Sequence, residues 1–130
     1  MKRIFTFILA ASLMIFATIM TKAQSNAETT VLRHVVLFKF KDTSTPEDVK
    51  KVEAAFADLA KKLPLIKGYE WGKNTSPENL NQGLTHCFLL TFSSDKDRDA
   101  YLIHPDHKAF GKILGPHLDK VTVLDYWTER

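Results

Sequence analysis

Cysteine is almost absent from this chain: Cys87 stands alone among 130 residues, so no intramolecular disulfide can hold the fold together. Its neighbours Phe88, Leu89 and Leu90 mark it as a small apolar residue due for burial, and with no lysine or arginine beside it nothing lowers its pKa toward a reactive thiolate. No cysteine stands just after the N-terminal apolar run, which argues against a bacterial lipoprotein anchor. The dense Cys/His ligand set of a zinc signature is missing. His104-Pro105-Asp106-His107 has a spacing that could suit a metal, but the proline splits its geometry, so no metal is expected. Nothing marks a haem ligand beyond bare histidines, and no cofactor of any kind is expected.

Charge of one sign is lacking as well. The formal excess of +3 resides in Lys2, Arg3 and Lys22, and without them 15 basic residues balance 15 acidic ones. That balance gives no support for nucleic acid or an acidic macromolecule as partner. The three cations frame a leader instead. Met1-Lys2-Arg3 is a basic start, Ile4 to Met20 is uncharged and apolar, and Thr21-Lys22-Ala23 ends in a small residue suited to signal peptidase. We expect a signal peptide over 1–23, a disordered polar segment over 24–30 and one domain over 31–130. The product would be periplasmic or secreted and free of the membrane; retention of the long apolar run as an anchor is the alternative.

The remainder alternates between two periodicities. Val31 to Phe40 reads as a strand with Leu32, His34, Val36, Phe38 and Phe40 on one face. Thr45-Pro46-Glu47-Asp48 supplies an N-cap, a proline at the first helical position and acids in the first turn. Val49, Val52, Phe56, Leu59 and Leu63 then recur at helical spacing up to Pro64. Ile66 to Lys73 and Leu84 to Phe92 read as strands around an Asn74 to Gly83 loop, and Val121 to Trp127 as a last strand. Between these, Asp95 to about Leu118 is helical but broken. The order β-α-β-β-α-β implies an α+β, ferredoxin-like protomer with helices on one face of the sheet. The other face, with Val35, Leu37, Cys87 and Leu89, is too apolar to be left in water and suggests pairing with a second copy.

The break is where chemistry concentrates. Tyr101-Leu102-Ile103-His104-Pro105-Asp106-His107 crowds a tyrosine and two histidines around a proline that forces the preceding residue out of the helical region. A helix restarting at Asp106 puts His107 in a first turn, where the helix dipole disfavours an extra proton and helps keep the imidazole neutral. His34 and His86 each lie six residues before a phenylalanine, Phe40 and Phe92, on strands expected to be parallel neighbours at the sheet centre. They are therefore expected side by side beneath the break. His117 reads as an ordinary hydrogen-bonded residue.

These segments carry a resemblance. His34 to Asp42, Gly83-Leu84-Thr85-His86, Thr91-Phe92-Ser93-Ser94, Tyr101 to Phe110 and Asp125-Tyr126 resemble the stress-responsive A/B-barrel (Dabb) domain family over nearly all of Val31 to Tyr126. The resemblance implies a dimeric α+β barrel in which two ferredoxin-like protomers join their sheets. Similarity to a plant polyketide cyclase of that family implies His107 as general base, Tyr101 as its partner, and His34 and His86 as pocket residues. A pocket tyrosine of that enzyme falls on Phe56, which would line its part of the cavity with an apolar ring; Phe88 is a further candidate for the apolar lining.

Two functions fit. One is an exported homodimer that binds a small, partly apolar ligand in a His/Tyr-lined cavity. The other is a small lyase, cyclase or isomerase in which His107 abstracts a proton next to a carbonyl and Tyr101 donates to the oxygen, as in an aldol-type polyketide cyclisation.

Overall fold

The computed structural model describes residues 30–129. The leader over 1–23 and all of the 24–30 segment except Thr30 lie outside the described residues. The elements run β1 (Leu32–Phe40), α1 (Pro46–Lys62), β2 (Gly68–Lys73), β3 (His86–Phe92), α2 (Asp95–Ile103), α3 (Pro105–Leu114) and β4 (Leu118–Trp127). One sheet of order β2-β3-β1-β4 carries the helices on one face, the ferredoxin-like arrangement.

Helix α1 starts where its caps dictate. Thr45 Oγ1 accepts from the Asp48 amide at 3.2 Å, while Asp48 Oδ2 accepts from the Thr45 amide at 3.1 Å, so two otherwise orphan donors are satisfied reciprocally. Val52, Phe56, Leu59 and Leu63 then descend onto Phe38, Phe88, Leu90 and Phe92 of the sheet to form the core. Phe88, with no exposed surface, stacks within that core near Phe38, Phe56 and Trp71.

Strand direction departs from expectation. β1 and β3 are central neighbours but antiparallel, with Phe38 opposite His86 and His34 opposite Leu90. The cause is topological: the α1 crossover returns the chain in the direction of β1, and the β2-β3 connection then reverses it. His34 and His86 share the helix-facing side but sit four residues apart along the strands, about 13 Å.

Cys87 also differs from expectation, being exposed rather than buried. Strand alternation places it on the open face of the sheet with Val35, Leu37 and Leu89, where Leu124 and Tyr126 are exposed as well.

Candidate functional site

Ser94 opens α2, its hydroxyl accepting from the Asp97 amide at 3.0 Å. The helix ends at Ile103 because Pro105 drives His104 to an extended backbone, φ −62° and ψ 139°. His104 then serves the next helix. Its Nδ1 accepts from the Asp106 amide at 3.2 Å, capping α3, which occupies this imidazole structurally. His117 is likewise engaged, 3.2 Å from the Ser44 hydroxyl.

The break turns α3 so that His107 meets Tyr101, their ring centres 4.4 Å apart. His107 Nδ1 lies 3.0 Å from the Leu102 carbonyl, and since a carbonyl only accepts, Nδ1 carries the proton and Nε2 keeps its lone pair. Burial, chiefly, holds the His107 pKa below its usual 6.5, with the nearby His34 acting in the same direction against the carbonyl's opposing pull. The imidazole is neutral at pH 7 and able to accept a proton. Tyr101 is buried, and burial raises its phenol pKa, so the hydroxyl stays a donor.

Both residues line a cavity of about 320 Å³ together with His34 and Asp125, at the small end of ligand-pocket sizes. The His34 ring stands edge-on to Tyr101 at 5.9 Å, and His34 Nδ1 is 2.6 Å from Asp125 Oδ1 across the β1-β4 pairing. The rest of the lining is apolar, including Val36, Phe38, Phe56, Leu102 and Phe110. The cavity thus sets a base and a donor among mostly hydrocarbon walls.

His86 does not join this group. It lies in another cluster, with Nε2 3.0 Å from Glu53 Oε1 and Nδ1 2.8 Å from the Thr85 hydroxyl. Glu53 also pairs with Lys73 at 3.2 Å, and the Trp71 ring stacks parallel to His86. Burial raises the Glu53 pKa, but the hydrogen bonds from His86 and Lys73 outweigh it and the net shift is downward. His86 borders a separate cavity shared with Lys73, Thr85 and Cys87. Phe88 lines neither cavity.

Two acids absent from the sequence-derived site hold these histidines. Asp125 follows Val121 and Val123 on the inward parity of β4, and Glu53 abuts Val52 and Phe56 on the apolar stripe of α1. A carboxylate on an inward face needs a partner, and that was the available signal. Among the described residues, no group of three or more His, Cys, Asp or Glu side chains is disposed to hold a metal ion.

A family profile described as Stress responsive A/B Barrel Domain matches residues 32–128. The chain belongs to the stress-responsive A/B-barrel (Dabb) domain family. Stress-response A/B barrel domain-containing protein HS1 from Arabidopsis thaliana is 41% identical over 95 residues, covering 73% of this chain and 87% of that protein. Olivetolic acid cyclase from Cannabis sativa is 30% identical over 95 residues, covering 73% and 94%. Among solved structures, hydroxynitrile lyase from Passiflora edulis superposes with a TM-score of 0.72 at 27% identity, covering 76% of this chain and 94% of the lyase. A dimeric ferredoxin-like protein of unknown function from Thermobifida fusca gives 0.67 at 27% identity, covering 78% and 93%. This Dabb domain therefore has relatives described as a cyclase and a lyase.

Proposed function

We propose that this Dabb protein is an exported homodimer that binds a small, partly apolar carbonyl compound in the His34-Tyr101-His107 cavity. The carrying observation is the mixed lining of that cavity, in which a neutral imidazole and a phenol donor stand among mostly apolar side chains. The open sheet face, with Val35, Leu37, Leu89, Leu124 and Tyr126 unpaired in the protomer, supports dimerisation, as does the dimeric description of the Thermobifida relative. The Met1 to Ala23 pattern supports export, and the mass of the native protein tests it: a chain starting at Gln24 is expected, and a retained leader in the membrane fraction overturns it.

One observation favours a second reading, turnover of the bound compound. With Nδ1–H given to the Leu102 carbonyl, the free Nε2 of His107 is the base, and the Tyr101 hydroxyl is the donor to the enolate oxygen that forms when a proton leaves the carbon next to a carbonyl. The cyclase and lyase descriptions of relatives support this reading. The test is titration of the mature protein with a series of aryl and alkyl ketones and β-keto acids, followed by ring-proton chemical shifts of His107. His107 shifts that saturate in the parent, together with His34 ring-proton shifts that saturate in the parent and no longer respond in His107→Ala, support the cavity as the binding site. Exchange of the ligand's α-proton for deuterium, also lost in His107→Ala, separates turnover from binding.

A further inference from the structure

We propose that a second copy of this chain reaches round the free edge of β4 and completes the wall of the His34-Tyr101-His107 cavity, so that the ligand site is whole only in the dimer. The proposal rests on that cavity being the ligand site, but the placement of the second copy follows from β4 alone. β4 is the outer strand beside β1, ten residues long, with no strand on its other edge among the described residues. Eight of those ten residues are exposed.

Pairing with β1 alternates the β4 side chains between the two faces of the sheet. Val121 and Val123 stand opposite Phe38 and Val36 on the helix side, while Leu124 and Tyr126 stand opposite Val35 and Arg33 on the open side. In the protomer the two valines are 46% and 52% exposed, and Leu124 and Tyr126 are 61% and 45% exposed. An antiparallel strand with one wet face alternates apolar with polar; one that is apolar on both faces is suited to burial on both. The edge argues the same way. Val121 to Leu124 carries no charge, and a long apolar edge is normally covered or blunted by charge. The acid that follows is turned inward, with Asp125 Oδ1 2.6 Å from His34 Nδ1 and Oδ2 accepting from Arg98 Nη1 at 2.6 Å.

Continuity identifies the occupant. Leu124 extends the row of Val35 and Leu89 on which the dimer contact is expected. A copy laid flat on that row would cover Leu124 and Tyr126 and leave Val121 and Val123 in water. A copy whose twisted sheet curves round the edge covers both pairs.

The two valines also link this edge to the ligand. No β4 residue belongs to the buried core, yet Val121 and Val123 line the cavity, as does the exposed Leu102. Exposed side chains that line a cavity mark where it meets solvent, so the mouth lies along β4. Closing it would raise the buried fraction of a ligand toward the roughly 70–90% of small-molecule sites. Binding and dimerisation would then be reciprocal, each tightening the other by the same factor.

The experiment is NMR of the native protein with labelled valine and leucine methyls, in the presence of a neutral gadolinium chelate that broadens groups in contact with solvent. In the parent, Val121, Val123 and Leu124 are expected to resist broadening; in Leu89→Asp all three should broaden. Should Leu89→Asp not fold, Leu89→Lys, also solvated in a monomer, takes its place. A protected Leu124 with Val121 and Val123 broadened as in the monomer overturns the proposal, because the copy would then be confined to the open face. Titration with acetophenone, read on the His34 ring protons, tests the completed wall. The monomeric variant is expected to bind about 5–150-fold more weakly than the parent, the usual span of coupling between sites. Equal affinity overturns the proposal. A parent whose His34 signals do not respond to acetophenone counts against the proposed function, and the methyl pattern still decides where the second copy sits, so the two readings fail separately.

Discussion

The rings of Tyr101 and His107 lie 4.4 Å apart although they belong to different helices, because Pro105 ends one and begins the next between them. In an unbroken helix, residues six apart lie on clearly different faces at 3.6 residues per turn. The break re-aims the second helix and makes neighbours of a base and a donor. His107→Ala is therefore expected to keep the fold and lose ligand binding, since His107 is only partly buried and sits outside the main core. If turnover is found, the loss of rate should be on the order of 10²–10⁴, the usual worth of a general base. Undiminished turnover in this variant would remove His107 from the mechanism.

Tyr101→Phe separates packing from chemistry. The ring that packs on Phe92 and His34 is retained, so thermal stability should change by less than about 1.5 kcal/mol, while donation to a ligand oxygen is lost. Calorimetry and ligand titration on one preparation check both halves. A large fall in melting temperature with unchanged binding would assign Tyr101 to the core alone.

The break, the element order and the capping of α1 were legible in the sequence because they depend on residues close together in it. Pro105 and Thr45-Pro46 act within one turn of themselves. The pairing of His34 with His86 was misread because equal spacing from Phe40 and Phe92 places residues level only when strands run the same way, and β1 and β3 run oppositely. Asp125 and Arg98 were not found, since each is 27 residues from the other and their bond exists only after β4 has paired with β1 and α2 has settled on the sheet. Periodicity reports which face a residue occupies; it does not report which residue of another element lies opposite.

His107 also sets a pH dependence. Its folded pKa is lowered from 6.5 by burial, so between that lowered value and 6.5 the unfolded chain binds more protons than the folded one. The stability contributed by a neutral His107 is complete above pH 6.5 and is lost as pH falls from there through the folded pKa. Any reaction that uses it as base should likewise persist below pH 6.5 before failing. Proton NMR titration of the ring gives the midpoint directly, and a midpoint above 6.5 would refute both statements.

The Glu53 cluster should behave independently of the cavity. Glu53→Ala removes the acceptor of both His86 and Lys73, leaving a buried imidazole with one bond fewer, and is expected to cost about 1–3 kcal/mol of stability. Ligand binding near His107 should persist at a temperature where the variant is folded, because His86 borders a different cavity. Because the folded Glu53 pKa is lowered from 4.5, the difference in stability between parent and variant should hold above pH 4.5 and shrink as pH falls below it. A variant that is stable but unable to bind ligand would return His86 to the site.

The open face of the sheet gives the last expectation. Leu89 lies on β3 opposite Val35 of β1, and Leu124 of β4 lies opposite Val35 on its other side, so an apolar row crosses the sheet on the side away from the helices. Leu89 is partly exposed in the protomer, which means an acid there can be solvated by a monomer. In a sheet-to-sheet dimer the same acid would be buried without a partner, at a cost of several kcal/mol in each protomer. Leu89→Asp should therefore leave the helical and strand content of the protein intact and convert a dimer into a monomer at micromolar concentration, measured by sedimentation. A parent that sediments as a monomer would refute the dimer, and a Leu89→Asp variant that remains a dimer would place the contact elsewhere; either leaves this apolar row without an explanation.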